Sequence, residues 1–212
     1  MLRILIVDDH LLIRRGLQQI LTSDLGRDVF VDEAENSQQA IEKIGQSSWD
    51  VVILDLNLPG RSGLVLLEEI KAMQPKLPVL VLTAYSEEEF AIRVLKAGAA
   101  GFIPKESTHL ELVQAVKTVL SGGKHVTNTA AQMLIKELSS PSEKPPHEDL
   151  SDRELQVLCL LGKGKTPTEI SKSLSLSIKT VSTYRTRILE KMNMKTNAQL
   201  IHYALKHGLA EF

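Results

Sequence analysis

The stretch LRILIVDDHLLIRRG, residues 2–16, places an apolar run directly before two adjacent carboxylates, which are followed by a helical pattern. The run Ile4–Val7 is continuously apolar, as expected of a strand that is buried on both faces of a parallel sheet. Asp8 and Asp9 repel each other, and neither propensity nor packing requires both. A cation bound at this point explains the pair, so the stretch predicts a buried first strand that ends at a cation site.

The composition is that of an ordinary globular protein. The chain has 212 residues, of which 43% are apolar and 24% charged, so one large or two small domains are expected. No apolar run approaches the ~18 residues of a membrane span, and the first run is too short for a signal peptide. The single cysteine, Cys159, cannot form an internal disulfide. We therefore expect a cytoplasmic protein without a membrane partner.

Charge is divided unevenly along the chain. Residues 1–121 contain 12 Lys+Arg and 17 Asp+Glu, a formal charge of −5, whereas residues 150–212 contain 10 and 5, a formal charge of +5. The residues between these two stretches contain 3 Lys+Arg and 4 Asp+Glu. An acidic half and a basic half indicate two domains with different partners, and the basic half is suited to nucleic acid.

Short strand-like runs alternate with helical patterns in the acidic half. The runs are Arg3–Val7, Val29–Ala34, Val51–Leu54, Val79–Thr83 and Gly101–Ile103. Two of the helical patterns begin with capping-box signatures, at Ser86 and at Thr108. This alternation predicts an α/β fold with a doubly wound, five-stranded parallel sheet, in which ligands bind beyond the carboxyl ends of the strands.

Polar residues follow the carboxyl ends of four of these strands. They are Asp8 and Asp9, Asp55, Thr83 and Lys105. Each alone is compatible with a helix cap or a loop residue, but together they favour one site at one rim of the sheet. Three carboxylates suit Mg²⁺, which also takes backbone carbonyls and water, and the carbonyl of Asn57 is a candidate. His10 is a poor candidate because Mg²⁺ prefers oxygen.

The same residues form a coherent set for phosphoryl transfer. A carboxylate beside a divalent cation can act as a nucleophile toward a phosphoryl group. The cation and a lysine then neutralise the phosphoryl oxygens, and the hydroxyl of Thr83 can bond to the new group.

The segments LIVDDH, VVILDLNLPGRSG, VLVLTAYS and AAGFIPKE together resemble the receiver domain of two-component response regulators. The resemblance covers residues 2 to about 121 and implies the flavodoxin-like strand order. It implies that Asp55 accepts a phosphoryl group from a sensor histidine kinase while Asp8 and Asp9 serve the metal. It also implies that Lys105 contacts the phosphoryl group and that Thr83 and Phe102 move on activation. Glu106 rather than proline follows the lysine, which leaves open whether that peptide bond is cis.

A linker is predicted between the two halves. The stretch SSPSEKPPHED contains three prolines and no other apolar side chain, which is typical of an exposed, semi-extended segment. A short helix is expected before it, at Thr129–Leu138, with Asn128 as its cap. The predicted organisation is a first domain over 1–121, a linker over 122–149 and a second domain over 150–212.

The basic half contains four helical patterns with capping signals. They begin at Ser151, Thr166, Ser177 and Thr196. The tight link Leu174–Ser177 between the second and third patterns suits a helix-turn-helix, so an all-α domain of four helices is expected.

The third of these helices has two different faces. At 100° per residue, one stripe is apolar and consists of Ile178, Val181, Ile188 and Met192. The opposite face is small, polar and basic, which is typical of a recognition helix, although a solvated face is the alternative. We assign DNA contacts to Lys179, Thr180, Ser182, Thr183, Arg185, Thr186 and Arg187. Arg185 falls inside the apolar stripe, where it either snorkels or reaches a phosphate.

The segments LSDRELQVL, PTEIS and SIKTVSTYRTRILEKMNMKTNAQLI resemble the DNA-binding domain of the LuxR/NarL group of regulators over residues 150–209. The resemblance implies that Ile178–Met192 enters the major groove and that the last helix pairs with its copy. The candidate dimer contacts on that helix are Leu200, Ile201, Ala204 and Leu205, of which some must cover the core and the remainder can meet a second copy. Some relatives carry lysines where Ser182 and Thr186 stand here, so a different base preference is expected.

The leading hypothesis is a phosphorylation-controlled transcription regulator that dimerises on promoter DNA and is not an enzyme. RNA polymerase is a further candidate partner. An aspartyl phosphatase is the first alternative, but haloacid-dehalogenase chemistry needs an aspartate at the position of Asn57 and a substrate-covering insertion. A constitutive DNA binder with an inactive receiver is the second, and the complete set of polar residues argues against it. Phosphorylation-dependent footprinting separates the three.

Overall fold

The computed structural model describes residues 1–26, 28–59, 61–85, 87–139 and 145–210, without the side chains of 87–89 and 136–139. The chain divides between Ile135 and Lys136 into two compact units. This division falls inside the predicted linker. Among the described helices, none is long and apolar enough to cross a membrane.

The first unit is built on a parallel sheet. Its strands are β1 (Leu2–Val7), β2 (Val29–Ala34), β3 (Val51–Leu54), β4 (Val79–Thr83) and β5 (Gly101–Pro104). The order is β2-β1-β3-β4-β5 and every pairing is parallel. This confirms the predicted doubly wound sheet with the flavodoxin-like order, whose strand order reverses between β1 and β3.

The first four helices described in this unit connect successive strands of the sheet, and two more follow β5. They are α1 (Leu11–Leu25), α2 (Ser37–Gln46), α3 (Gly63–Met73), α4 (Glu87–Lys96), α5 (His109–Leu120) and α6 (Asn128–Ser139). Side chains of Asn36, Ser62 and Thr108 accept hydrogen bonds from the first turns of α2, α3 and α5. Such caps fix where each loop ends and each helix begins. The predicted cap Ser86 lies outside the described residues.

The central strands are apolar because both of their faces are covered. Ile4, Ile6 and Ile53 pack in one buried cluster with residues of α1 and α5. All four residues of β3 and all five of β4 are buried. By contrast, β2 lies at the sheet edge and is partly exposed, which accounts for its more polar sequence.

The segment after α5 belongs to the first unit rather than to a tether. His125 forms a parallel bridge with Gly101, and its backbone N–H donates to the carbonyl of Ala100 at 2.9 Å. Ala130, on α6, is buried. The predicted cap Asn128 is wrong, because Asn128 is the first helical residue and Thr127 Oγ1 accepts the hydrogen bond from the Ala130 N–H.

The second unit is helical. Its described elements are a 3₁₀ helix (Pro146–Asp149), α7 (Asp152–Gly162), α8 (Pro167–Ser173), α9 (Ile178–Lys191) and α10 (Asn197–Lys206). Ser151, Thr166 and Thr196 form complete capping boxes, and Ser177 accepts from the Thr180 N–H. The four predicted α-helices and their starts are therefore confirmed.

The buried stripe of α9 is shorter than predicted. Val181, Ile188 and Met192 are buried, but Ile178 is 52% exposed. Ile178 is the first residue of the helix, so its side chain lies at the helix end, beyond the turns that the neighbouring helices cover. At the other end of α9, Lys191 Nζ lies 2.7 Å from Glu154 Oε2 and fixes α9 to α7.

Candidate functional site

An acidic cluster lies at the carboxyl ends of β1 and β3. Ligand atoms of Asp8, Asp9, His10 and Asp55 all lie within 4.8 Å of one another. Asp8 and Asp55 are each 2% exposed, while Asp9 is partly open to solvent. Adjacent placement of β1 and β3 brings these side chains together, because parallel strands end at the same rim.

Lys105 forms ion pairs with two of these carboxylates. Its Nζ lies 2.7 Å from Asp8 Oδ2 and 2.7 Å from Asp55 Oδ2. The residue follows β5, and its backbone N–H donates to the carbonyl of Thr83 at 2.8 Å, which fixes the loop beside β4. The sequence prediction that the ends of β1, β3 and β5 meet is thereby confirmed in geometry.

Burial and charge shift the pKa of both partners. Burial raises the pKa of Asp55 above its usual 3.8, and this outweighs the lowering by Lys105. For Lys105, burial lowers the pKa, but the carboxylates of Asp55 and Asp8 outweigh burial and leave it above 10.5. A further cation beside Asp55 would favour its charged form.

The cluster fits a hard divalent cation. Asp55 Oδ1 is buried and has no hydrogen-bond partner among the described residues. An unpaired buried carboxylate oxygen is costly, so its presence points to a ligand that the protein atoms do not supply. Carboxylate oxygens are the ligand atoms that Mg²⁺ prefers, and Asn57 lies beside the cluster because its backbone N–H donates a hydrogen bond to the Asp55 carboxylate.

His10 lies across the acidic pair. Its Nδ1 is 2.7 Å from Asp9 Oδ1 and 3.2 Å from Asp8 Oδ1, and its ring is largely exposed. The backbone N–H of His10 also donates to Asp8 Oδ1 at 2.8 Å. The imidazole therefore hydrogen bonds to Asp8, while Asp9 Oδ1 has no hydrogen-bond partner among the described residues. The exclusion of His10 from metal binding stays a prediction.

The two predicted switch residues lie on neighbouring strands. Thr83 ends β4 and is fully buried, and its Oγ1 accepts a hydrogen bond from the Tyr85 N–H at 3.4 Å. Phe102 is buried within β5. Their movement on activation stays a prediction. Among the described residues no peptide bond is cis, and the bond after Lys105 is therefore trans.

Arg14 is a residue that sequence reasoning missed. Its guanidinium is buried and donates to the backbone carbonyl of Asp8 and to the carboxylates of Glu33 and Glu35. A signal was present, because Arg14 lies on the same helical face as Leu17, a core residue. A charged residue within an apolar stripe indicates a buried partner.

In the second unit, α9 exposes a polar and basic face. The exposed candidates are Lys179, Ser182, Thr183, Thr186 and Arg187, while Thr180 and Arg185 are partly buried. The hydroxyls of Thr183 and Thr186 donate to carbonyls one turn earlier, which fixes their rotamers and leaves lone pairs free to accept. Arg185 donates to Asn197 Oδ1 at 3.3 Å, so part of its head group is directed to α10.

The candidate dimer contacts on α10 fall into two pairs. Leu200 and Ala204 are completely buried, so the prediction that they form a dimer surface is wrong. They lie one turn apart on the face toward α7, where a Cβ added to Gly162 would lie 2.8 Å from Ala204 Cβ. Ile201 and Leu205 are partly exposed and remain candidates.

Two protein families cover most of the chain. Residues 4–117 match the response regulator receiver domain, and residues 148–204 match the bacterial regulatory proteins of the luxR family. The chain is 35% identical to the response regulator UvrY of Escherichia coli (strain K12) over 99% of this chain and 96% of UvrY. It is 36% identical to the oxygen regulatory protein NreC of Staphylococcus carnosus over the full length of both.

Solved structures of RcsB have the same architecture. RcsB from Salmonella enterica serovar Typhimurium, bound to a promoter with the phosphomimetic BeF₃⁻, is 27% identical with a TM-score of 0.61, over 96% of this chain and 98% of RcsB. A structure of two RcsB dimers bound to two parallel DNAs is 28% identical with a TM-score of 0.58, over the same fractions of the two chains. These relatives are regulators, which sets the phosphatase alternative aside. The chain belongs to the NarL/LuxR family of two-component response regulators, with a receiver domain followed by a LuxR-type DNA-binding domain.

Proposed function

We propose that phosphorylation of Asp55 switches this regulator, with Mg²⁺ held by Asp8, Asp9, Asp55 and the backbone carbonyl of Asn57. The observation that carries the proposal is the unequal treatment of the two Asp55 oxygens. Oδ2 lies against Lys105 at 2.7 Å, whereas Oδ1 is buried without a hydrogen-bond partner among the described residues. One oxygen is thus neutralised by the protein and the other is left for a ligand or a reaction.

Phosphoryl transfer at this site needs little covalent chemistry from the protein. A carboxylate oxygen of Asp55 attacks the phosphorus of a phosphohistidine on a sensor kinase, a P–O bond forms, and the P–N bond to the imidazole breaks. Mg²⁺, when bound, neutralises charge on the phosphoryl oxygens. Lys105 contacts the same oxygens, and Thr83 donates its hydroxyl to the new group, which would draw β4 and Phe102 toward the site.

The output of the switch is dimeric binding of promoter DNA through α9. The exposed cations Lys179 and Arg187 neutralise phosphates, and Ser182, Thr183 and Thr186 contact base edges. The similarity to RcsB, which binds a promoter and forms dimers on DNA, supports this assignment. Ile201 and Leu205 supply the contact between two copies. The kinase, chromosomal DNA and RNA polymerase as partners imply action in the cytoplasm.

The test is incubation with acetyl phosphate and Mg²⁺, followed by footprinting on genomic DNA. We expect one acid-labile phosphate per chain and footprints that strengthen after phosphorylation. Asp55→Asn should take up no phosphate because the amide is not a nucleophile, whereas Asp24→Asn, at an exposed helix position, should behave as the unaltered protein. Full uptake by the Asp55 variant contradicts the proposal. Footprints of equal strength with and without phosphate favour the constitutive alternative.

A further inference from the structure

Arg14 is only 3% exposed, and the other buried residues of its helix, Leu17 and Leu21, are apolar. It lies on α1, which begins immediately after the acidic pair and its neighbour His10. A buried guanidinium is expensive unless every donor is paired, so its partners indicate what it stabilises.

The guanidinium joins three segments of the first unit. Nε donates to Glu33 Oε2 at 2.8 Å, NH2 donates to Glu35 Oε1 at 2.9 Å, and NH1 donates to the backbone carbonyl of Asp8 at 2.8 Å. Glu33 is the second-last residue of β2, Glu35 lies in the loop after it, and Asp8 follows β1. A planar fork with five donors can serve three acceptors at once, whereas a lysine cannot.

The hydrogen bond from Arg14 to the Asp8 carbonyl constrains the direction in which the Asp9 side chain leaves the backbone. The Asp8 carbonyl and the Asp9 N–H belong to one planar peptide unit, so holding the oxygen fixes the orientation of that plane. The Asp9 side chain leaves the chain at the next Cα. Asp9 is also the most exposed carboxylate of the acidic cluster and therefore the one with the least packing to hold it.

We propose that Arg14 is a positioning residue for the Mg²⁺ site, which it serves by fixing the peptide between Asp8 and Asp9. The inference rests on the proposed function, because it requires that Mg²⁺ binds to the acidic cluster. Glu33 and Glu35 balance the guanidinium charge, so that Arg14 supports the site by geometry although its charge has the same sign as the metal.

A positioning role and a purely electrostatic role for Arg14 predict opposite changes in Mg²⁺ affinity when the residue is replaced. If Arg14 acted only as a nearby cation, its replacement by the neutral Met would strengthen Mg²⁺ binding, and Arg14→Lys would change nothing. If Arg14 acts by positioning, both substitutions weaken Mg²⁺ binding. Loss of an outer hydrogen-bond partner typically lowers metal affinity by about tenfold or more, and we expect a loss of this order.

The experiment is calorimetric titration of the full chain with MgCl₂, with urea unfolding of the metal-free protein as a measure of folding. Arg15→Lys and Arg15→Met are matched controls, because Arg15 is 65% exposed and, among the described residues, has no contact with Asp8: its NH1 lies 3.2 Å from Gln18 Oε1 and 3.5 Å from Glu33 Oε1. Both controls should bind Mg²⁺ as the unaltered protein does. The amide resonance of Asp9 in metal-free protein should move in Arg14→Lys and not in Arg15→Lys.

Each outcome has one meaning. Absence of Mg²⁺ binding in the unaltered protein contradicts the proposed function itself. Binding that is unaltered in folded Arg14→Lys overturns the inference and leaves the proposed function intact, as does tighter binding in Arg14→Met. If Arg14→Lys fails to fold, Glu35→Gln provides the test, since Glu35 is 61% exposed and the change weakens one acceptor. A smaller loss of affinity supports positioning, and no loss contradicts it.

Discussion

Burial and a neighbouring cation act in opposite directions on the Asp55 carboxylate. Burial is the larger effect, so the pKa of Asp55 in the folded protein lies above its usual 3.8 even though Lys105 lowers it. A carboxyl whose pKa rises on folding lowers stability as pH rises above the unfolded-state value, here about 3.8, and does so fully once pH exceeds the folded-state pKa. The buried charge of Asp55 should therefore lower the free energy of unfolding of the metal-free receiver at neutral pH.

This gives a prediction for Asp55→Asn that concerns stability rather than activity. We expect the variant to have a higher free energy of unfolding than the unaltered protein at pH 7 without metal, because the amide carries no charge into the buried site. Mg²⁺ should stabilise the unaltered protein and reduce the difference. Urea unfolding of both proteins, with and without MgCl₂, measures it. If metal-free Asp55→Asn is less stable at pH 7 than the unaltered protein, burial is not the larger of the two effects on the Asp55 carboxylate.

Residues of the site differ in how well sequence reasoning could place them. Asp8, Asp55 and Lys105 follow strands, and strand ends converge in any parallel sheet, so their meeting was predictable. Arg14 was not predicted, because its partners Glu33 and Glu35 are distant in sequence and their approach depends on the packing of α1 against β2. Leu200 was misassigned, since an apolar residue on a helix is equally compatible with a core and with a dimer surface.

At the scale of elements, an ion pair joins α7 to α9. Glu154 accepts from the Ser151 N–H as part of the capping box and from Lys191 Nζ at 2.7 Å. Burial raises the pKa of Glu154, but the bonds from Lys191 and Ser151 outweigh burial and leave the pKa below its usual 4.5. A lowered pKa stabilises the fold above the ordinary value, and this contribution is lost as pH falls through the folded-state pKa.

We therefore predict acid sensitivity of the second unit that depends on Glu154. Its stability should fall below about pH 4.5, and Glu154→Gln should lose about 1–2 kcal/mol at pH 7 while removing that part of the pH dependence. Thermal unfolding between pH 3 and pH 7 measures both. The control is Glu190→Gln, an exposed position on α9. Identical pH profiles for Glu154→Gln and the unaltered protein would refute the prediction.

The face of α9 should separate affinity from specificity. Lys179→Ala and Arg187→Ala should weaken binding to all DNA sequences and reduce its salt dependence, because each removes a phosphate contact. Ser182→Ala or Thr183→Ala should instead change the preferred bases, by about 1–3 kcal/mol at one position. Binding measured against a promoter library at two salt concentrations tests this. An affinity that is independent of salt would contradict the interface.

Elements themselves were more predictable than their boundaries with the linker. Strands, helix caps and the helix-turn-helix all have local sequence signals. The five strands and the caps at Thr108, Ser151, Thr166, Ser177 and Thr196 were found where expected, although Thr108 caps with its side chain alone and Ser86 lies outside the described residues. The segment that contains His125 and Ala130 has no such signal. It is held against the first unit by a bridge to β5 and by the burial of Ala130. Its assignment to the first unit therefore depends on tertiary contacts that a sequence pattern does not record.

At the scale of the whole molecule, the dimer should form through the exposed part of α10. We predict that BeF₃⁻ with Mg²⁺ makes the full chain dimeric and that Ile201→Glu and Leu205→Glu keep it monomeric without unfolding it. Leu200→Ala is the matched contrast, because it should lower stability by about 2–5 kcal/mol as a core substitution. Sedimentation at tens of micromolar and on a promoter measures association. An unaltered protein that stays monomeric in both conditions would exclude a dimer switch.

The bridge between His125 and Gly101 has a consequence for aggregation. A strand at the edge of a sheet offers unpaired backbone groups that a foreign chain can extend, and β5 is such a strand. Beside Gly101, the backbone of His125 already occupies this position, bonding to Ala100 and, at 3.4 Å, to Phe102. A Cβ at residue 101 would lie 2.7 Å from the His125 carbonyl oxygen, so only glycine lets the covering segment approach this closely. The receiver thus covers the first part of the β5 edge with its own chain, and fewer backbone groups are left there for a foreign strand to pair with.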